Sequence, residues 1–262
     1  MQLEGLVEKA KQSALFTAPR LEEDLARFLK DQGAAVAGLA RSAREREVRH
    51  VYWVGSGNSW TNLYSGKQLL DRFSDLPSDC MPSYDLIWRQ PRRLDEHSLA
   101  IFSSYSGATE DTLNALRYAN QRGAWTVAIV DKEDSPMGRE AREVLPFHST
   151  GLYALPLAAA CLFSLEYAKL GGADVQRTID AVYALPPVLG KAYREDEARA
   201  KQLAEEYKDE DLFYVLASGP LYGLGYKYAL TVFMENMRVH GSFIETSEFR
   251  HGPVEMLEKK RP

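Results

Sequence analysis

Two apolar stretches, each running straight into a turn of glycines and hydroxyls and then into a helical pattern, constrain this chain most. Residues 48–54 are β-branched and aromatic. They lead into Gly55, Ser56, Gly57, Asn58 and Ser59, after which Trp60, Leu63, Tyr64, Leu69, Leu70 and Phe73 recur at helical spacing. Residues 98–102 lead in the same way into a turn over 103–109, and the helix expected over 110–122 is stopped by Gly123. Strand, tight turn and helix make half of a βαβ unit. Residues 125–130 read as a third such strand. Residues 143–147 read as an edge strand, because Pro146 has no N–H for a central ladder. A further strand is expected over 84–88. This alternation predicts an α/β fold, a doubly wound and mostly parallel sheet with helices on both faces.

The rest of the chain is arranged around that unit. Residues 4–45 read as two helices broken at 16–20, residues 151–172 as an apolar helix, and residues 174–208 as two helices split at Pro186 and Pro187. Strand, turn and helix then return at 212–217, 218–220 and 222–239. The expected organisation is an N-terminal helical arm (1–45), a first α/β domain (46–172), connecting helices (173–208) and a second copy (209–262). Residues 213–262 are only 50, room for one strand, a long helix, a loop and the start of another helix. A one-strand sheet cannot hold itself, so the second copy is expected to be C-terminally truncated.

Composition removes several function classes. The 262 residues carry 32 basic and 37 acidic side chains, a formal charge of −5. That balance gathers no phosphate backbone and argues against a nucleic-acid partner. The first residues lack an apolar signal core and no apolar run is long enough to span a bilayer, so no membrane partner is expected. Cys80 and Cys161 are too few for a disulfide framework and suit a reducing, cytoplasmic setting. No Cys/His spacing reads as a metal site.

In a doubly wound sheet, ligands sit at the carboxyl ends of the strands. Two such ends here carry Ser59, Ser104, Ser106 and Thr109, each turn opening a helix whose first N–H groups and dipole favour an anion. The same residues are also ordinary helix caps and turn formers. With two such turns in one sheet, a phosphate cradle and plain structural punctuation are about evenly balanced. Glu235 is open in the same way. On its helix Lys227, Thr231 and Arg238 form a narrow polar stripe, with Glu235 near its boundary. A surface ion pair with Arg238 and a part-buried carboxylate serving as a base are both compatible with that position. His251 either caps the helix expected from Pro253 or acts as an acid in a cleft.

Residues 104–113, with Ser104, Ser106, Gly107, Thr109, Asp111 and Thr112, resemble the S-x-S-G-x-T-x-[DE]-T signature of SIS (sugar isomerase) domains. Gly55, Gly57 and Ser59 resemble the family's earlier turn. Glu248, His251, Gly252 and Pro253 resemble the E-x-x-H-G-P element of a second SIS repeat. The double-SIS layout resembles the isomerase half of glucosamine-6-phosphate synthase, and without a glutaminase domain it looks closer to fructosamine-6-phosphate deglycases. That resemblance implies phosphate binding by Ser59, Ser104, Ser106 and Thr109, with Gly57, Asn58, Tyr105 and Glu248 as further substrate contacts. It also implies Glu235, sixteen residues before His251 (251 minus 235), as general base and His251 as ring-opening acid. The implied reaction is cleavage of a phosphorylated Amadori compound to glucose 6-phosphate and a free amine, with no cofactor and no metal, in a homodimer with shared sites. An aldose–ketose isomerase, an amino-sugar-phosphate deaminase and a non-catalytic phosphosugar sensor are the alternatives. Val232 stands where aminotransferase-type isomerases carry a lysine, and Tyr105 stands where that subfamily has a glutamine.

Overall fold

The structure, a computed structural model, describes residues 18–257 together with Gly5, Glu8, Lys9 and Gln12. The first of the two helices expected over 4–45 therefore lies for the most part outside the described residues. The second is α1 (Ala18–Glu45). It buries Leu25, Phe28, Leu29, Val36, Ala40 and Ala43, a one-face stripe at helical spacing.

Five parallel strands follow: β1 (His50–Gly55), β2 (Ser78–Pro82), β3 (Ser98–Ser104), β4 (Trp125–Val130) and β5 (Glu143–Pro146), in the order β2-β1-β3-β4-β5. Every residue of β1, β3 and β4 is buried, as expected for parallel strands covered on both faces. Their side chains alternate between two cores. Val51, Trp53, Leu99, Ile101, Val127 and Ile129 pack with α1, α2 (Asn58–Phe73), α6 (Ala154–Leu170) and α7 (Gln176–Tyr183). Tyr52, Val54, Ala100, Phe102, Ala128 and Val130 pack with α3 (Ser83–Arg89), α4 (Glu110–Gln121) and Met137 of α5 (Pro136–Glu140). The α2–α6 contact is close because Gly66 has no side chain: a Cβ there would lie 2.6 Å from that of Ala160. The Ser164 hydroxyl donates to the Gly66 carbonyl at 2.7 Å across the same contact. β5 is an edge strand, and Pro146 is its last residue.

Three expectations change. Residues 84–88 are helical, not extended; the strand precedes them as β2, and Pro82 in extended geometry leads directly into α3. The two connecting helices part at Ala184, and Pro186 and Pro187 fall in the first turn of α8 (Leu185–Tyr207), where proline is tolerated. The C-terminal segment holds two strands rather than one. β6 (Leu212–Ala217) pairs in parallel with β7 (His240–Glu245), so a strand stands where a loop was expected after residue 239. Between them run α9 (Tyr222–Lys227) and a π-helical segment (Tyr228–Met237), closed by Arg238 in left-handed geometry. Two 3₁₀ turns, Glu248–Arg250 and Pro253–Met256, follow β7.

An aromatic seam seats this segment on the larger sheet. Tyr64 stacks on Tyr222 at 4.8 Å between centroids, and Trp60 lies 5.2 Å from Tyr226. Gly223 lets α9 approach α2, where a Cβ would lie 2.9 Å from that of Tyr64.

Candidate functional site

With strand order 2-1-3, the connections leaving β1 and β3 diverge, and the crevice between their carboxyl ends is a topological switch point. Both hydroxyl turns stand there. In the first, Gly57 takes positive φ and opens α2, followed by the half-buried Asn58 and Ser59. In the second, the Gly107 N–H donates to Ser104 Oγ at 3.1 Å, Ser104 Oγ pairs with Thr109 Oγ1 at 3.0 Å, and Ala108 N–H donates to Ser106 Oγ at 3.2 Å. Neither α2 nor α4 receives a side-chain cap. Thr109, at the cap position of α4, bonds Ser104 instead. Two helix N-termini with uncapped N–H groups, ringed by hydroxyls, can hold a phosphate without a Lys or Arg.

A second hydroxyl set lies directly behind. Ser56 Oγ donates to Ser83 Oγ at 3.1 Å, Ser83 Oγ donates to Thr112 Oγ1 at 3.0 Å, and Ser56 and Thr112 are 3.2 Å apart. This triad ties the end of β1 to α3 and α4 and fixes the two turns relative to each other. Sequence reasoning missed it, because Ser83 lies just before the stretch read as a strand over 84–88 and its helix was not expected. The Tyr105 ring lies 6.3 Å from that of Phe147 and packs against the core beneath.

The residues expected to carry the chemistry lie on the C-terminal segment. Thr231 Oγ1 donates to Asn58 Oδ1 at 2.7 Å, anchoring the π-helical segment on the first turn. Glu235, four residues on, is exposed rather than part-buried. Its charge reaches Tyr153, whose phenol is raised first by burial and then by Glu235. His251 and Glu248 are exposed in the turns after β7. The His251 N–H donates to the Glu248 carbonyl at 2.9 Å, so it is the backbone of Glu248 and not its carboxylate that meets His251. Among the described residues no hydrogen bond joins His251 to Glu235 or to the hydroxyl turns. The structure thus brings Ser59, Asn58, Ser104, Ser106 and Thr109 to one crevice and leans the Glu235 segment on it, while His251 and Glu248 stand on a separate loop.

Among the described residues no group of His, Cys, Asp and Glu is placed to hold a metal, and no helix is long and apolar enough to cross a membrane. Cys80 and Cys161 are unpaired, and burial raises both thiols. A cavity of about 930 Å³ near Arg44, Arg49 and Arg72 lies at the opposite, amino end of the strands, away from the crevice.

Residues 46–150 match the family model of the SIS domain. Fructosamine deglycase FrlB of Bacillus subtilis is 30% identical over 233 residues, which span 87% of this chain and 71% of that protein. The chain belongs to the SIS-domain family. Fructoselysine 6-phosphate deglycase of Escherichia coli K12 is 29% identical over 258 residues, 98% of this SIS protein and 76% of the relative. A Bacillus subtilis crystal structure assigned to the phosphosugar isomerases superposes with a TM-score of 0.79 at 30% identity, covering 87% of this chain and 71% of that one. The matched region contains β1 to β5 and both hydroxyl turns of this SIS protein.

Proposed function

We propose that this chain is a phosphosugar deglycase that cleaves fructosamine 6-phosphates to glucose 6-phosphate and a free amine. The observation that carries the reading is the meeting of two hydroxyl turns at the switch point, with the Glu235 segment bonded to the first of them through Thr231 and Asn58. The deglycase relatives, aligned over nearly the whole chain, support the same substrate class.

In this reading Ser59, Ser104, Ser106 and Thr109 hold the phosphate, with Gly57 giving the backbone room to approach. His251 assists opening of the sugar ring. Glu235 removes a proton from C1 of the open-chain ketosamine while the C2 oxygen gains one, giving an enaminol. Return of a proton to C2 gives the aldimine, and water adds across its C=N bond to release the aldose phosphate and the amine. Each step moves only protons and water, work for a positioned base and acid. Residues 209–262 form the second SIS copy of the proposed organisation, after an arm over 1–45, a first domain over 46–172 and connecting helices over 173–208. The proposed setting is the cytoplasm, and the proposed assembly is a homodimer in which His251 reaches the neighbouring subunit's crevice, in keeping with its separate loop.

The test is a coupled assay of glucose 6-phosphate release from a panel of fructosamine 6-phosphates, with Glu235→Gln beside the unaltered chain. Release that falls by about a hundredfold or more in the variant is expected for loss of a general base. Turnover unaffected by Glu235→Gln removes Glu235 from the role. An unaltered chain that binds glucose 6-phosphate and turns over none of the panel overturns the deglycase reading.

A further inference from the structure

The two helices whose N-termini flank the crevice belong to different cores. Leu63 and Leu70 of α2 are buried on one face of the larger sheet, Ala115, Leu116 and Ala119 of α4 on the other. Apolar packing therefore does not set the distance between their first turns. Sheet pairing does not reach them either. The β1–β3 ladder ends with Gly55 opposite Ser103, and among the described residues no backbone hydrogen bond joins 56–59 to 104–112. A phosphate held between two helix ends is bound best when that distance is fixed before it arrives.

The hydroxyls of Ser56, Ser83 and Thr112 span the gap. Ser56 follows directly on β1, Ser83 follows directly on β2, and Thr112 stands in the first turn of α4, the helix after β3. Thr112 and Ser83 are 0% and 1% exposed, and Ser56 is half-buried. With Thr112 donating to Ser56, each hydroxyl donates once and accepts once in a closed ring. Among the described residues these hydroxyls have no other side-chain partner. Apolar side chains would fill the same space with nothing to satisfy, so a buried ring of this kind is retained for what it specifies. Each end of it reaches a turn. The Ser56 carbonyl accepts the Ser59 N–H at 3.1 Å, which ties the ring to the start of α2. Thr112 follows Thr109 by three positions, and Thr109 bonds Ser104 at 3.0 Å, so two hydroxyl contacts hold the first turn of α4. Thr112 closes the stretch that resembles the SIS signature, yet it stands outside the phosphate set of Ser59, Ser104, Ser106 and Thr109.

We propose that Ser83 and Thr112 are positioning residues for the substrate's phosphate: through Ser56 they lock the N-termini of α2 and α4 at one separation and so preorganise the cradle. The inference rests on the two turns holding a phosphate, as in the proposed function, and adds to that reading the residues that set the width of the site. Its effect falls on binding of the phosphate group and not on proton transfer at the sugar.

The experiment compares the unaltered chain with Thr112→Val, Thr112→Ser, Ser83→Ala and the Val/Ala double variant. Calorimetry well below each Tm measures affinity for inorganic phosphate and for glucose 6-phosphate. Thr112→Val keeps the shape and removes the hydroxyl. It and Ser83→Ala are each expected to weaken both ligands by a common factor of about three to ten, the scale of one lost hydrogen bond. Thr112→Ser keeps the hydroxyl and is expected to bind both ligands as the unaltered chain does. The double variant is expected to lose less than the product of the two single factors, because either change already opens the ring. A lowered Tm with unchanged affinities is a purely structural role and overturns the proposal. So does a Thr112→Ser as weak as Thr112→Val, which assigns the effect to the methyl group. A loss for glucose 6-phosphate that inorganic phosphate does not share overturns it as well, because the ring then serves the sugar. Where Thr112→Val does not fold, Ser83→Ala carries the same comparison, and failure of both to fold makes the ring a folding element and overturns the proposal. An unaltered chain that binds both ligands and turns over no fructosamine 6-phosphate overturns the deglycase reading alone, since the affinities still decide this one. An unaltered chain that binds neither ligand overturns the cradle and this proposal with it.

Discussion

Gly107 turns the second hydroxyl loop at φ 60, with the space a side chain would fill already taken by Ser135. Gly107→Ala therefore meets both a disfavoured backbone region and a clash, and is expected to cost roughly 1–3 kcal/mol of stability. Urea melts measure the cost, and a melt matching that of the unaltered chain would show the loop relaxing freely. The same substitution is expected to weaken glucose 6-phosphate binding, because the Gly107 N–H holds Ser104 in place. Lys227 makes a second residue-scale expectation, about stability and pH. Burial holds its folded value at about 8, below the ordinary lysine value of 10.5. Below pH 8 both states hold the proton and the folded state bears the full burial penalty. Between about 8 and 10.5 the unfolded chain still binds a proton that the folded chain has released, so stability rises with pH. The Tm of the unaltered chain should gain on that of Lys227→Met between pH 7.5 and 9.5, and parallel curves would contradict it. These two residues also divide what a sequence can tell. The turn around Gly107 was readable because its chemistry is local, hydroxyls and glycine within six positions. Lys227 appeared only as part of a polar stripe, because its burial is made jointly by Asn62, Tyr153 and its own helix, residues far apart in the chain.

At the scale of elements, the π-helical segment is what carries the second half of the molecule to the first. Its Thr231 to Asn58 hydrogen bond is the described side-chain link between that segment and the first hydroxyl turn. A double-mutant cycle with Asn58→Ala and Thr231→Ala is expected to give a coupling of about 0.5–1.5 kcal/mol. Additive losses would mean that the aromatic seam alone sets the position of the segment. The strands β1, β3 and β4 were legible as apolar runs because both their faces are buried. β2 was not: Ser78, Asp79 and Pro82 are poor strand formers, and the strand is held by its pairing with β1, from Val51 with Ser78 to Gly55 with Pro82. β7 was missed for a related reason. Gly241 and Ser242 weaken its pattern, and Gly241 is required because a Cβ there would lie 3.0 Å from that of Phe233. In both cases a tertiary neighbour, not local propensity, decides the element.

For the whole molecule, the two sheets differ in how far water is excluded. β1, β3 and β4 are buried along their length, while β6 and β7 are half-buried at most positions. A two-stranded sheet is marginal by itself, and this one relies on α9, on the π-helical segment and on the rings of Tyr222, Tyr226 and Phe243. Amides of β6 and β7 are therefore expected to exchange with solvent faster than those of β1, β3 and β4, because local opening there breaks fewer buried contacts. A phosphosugar sharpens that expectation into a test of the composite site. A ligand that touches only the hydroxyl turns stabilises the five-stranded unit and leaves β6 and β7 at their own rate. A ligand that also requires the Glu235 segment binds only when that segment is docked, so its binding free energy opposes undocking as well. Saturating glucose 6-phosphate is therefore expected to slow exchange in α9, the π-helical segment and β7 along with the turns at 55–59 and 104–109. Protection confined to those turns would place the whole ligand on the larger sheet and take Glu235 out of the site.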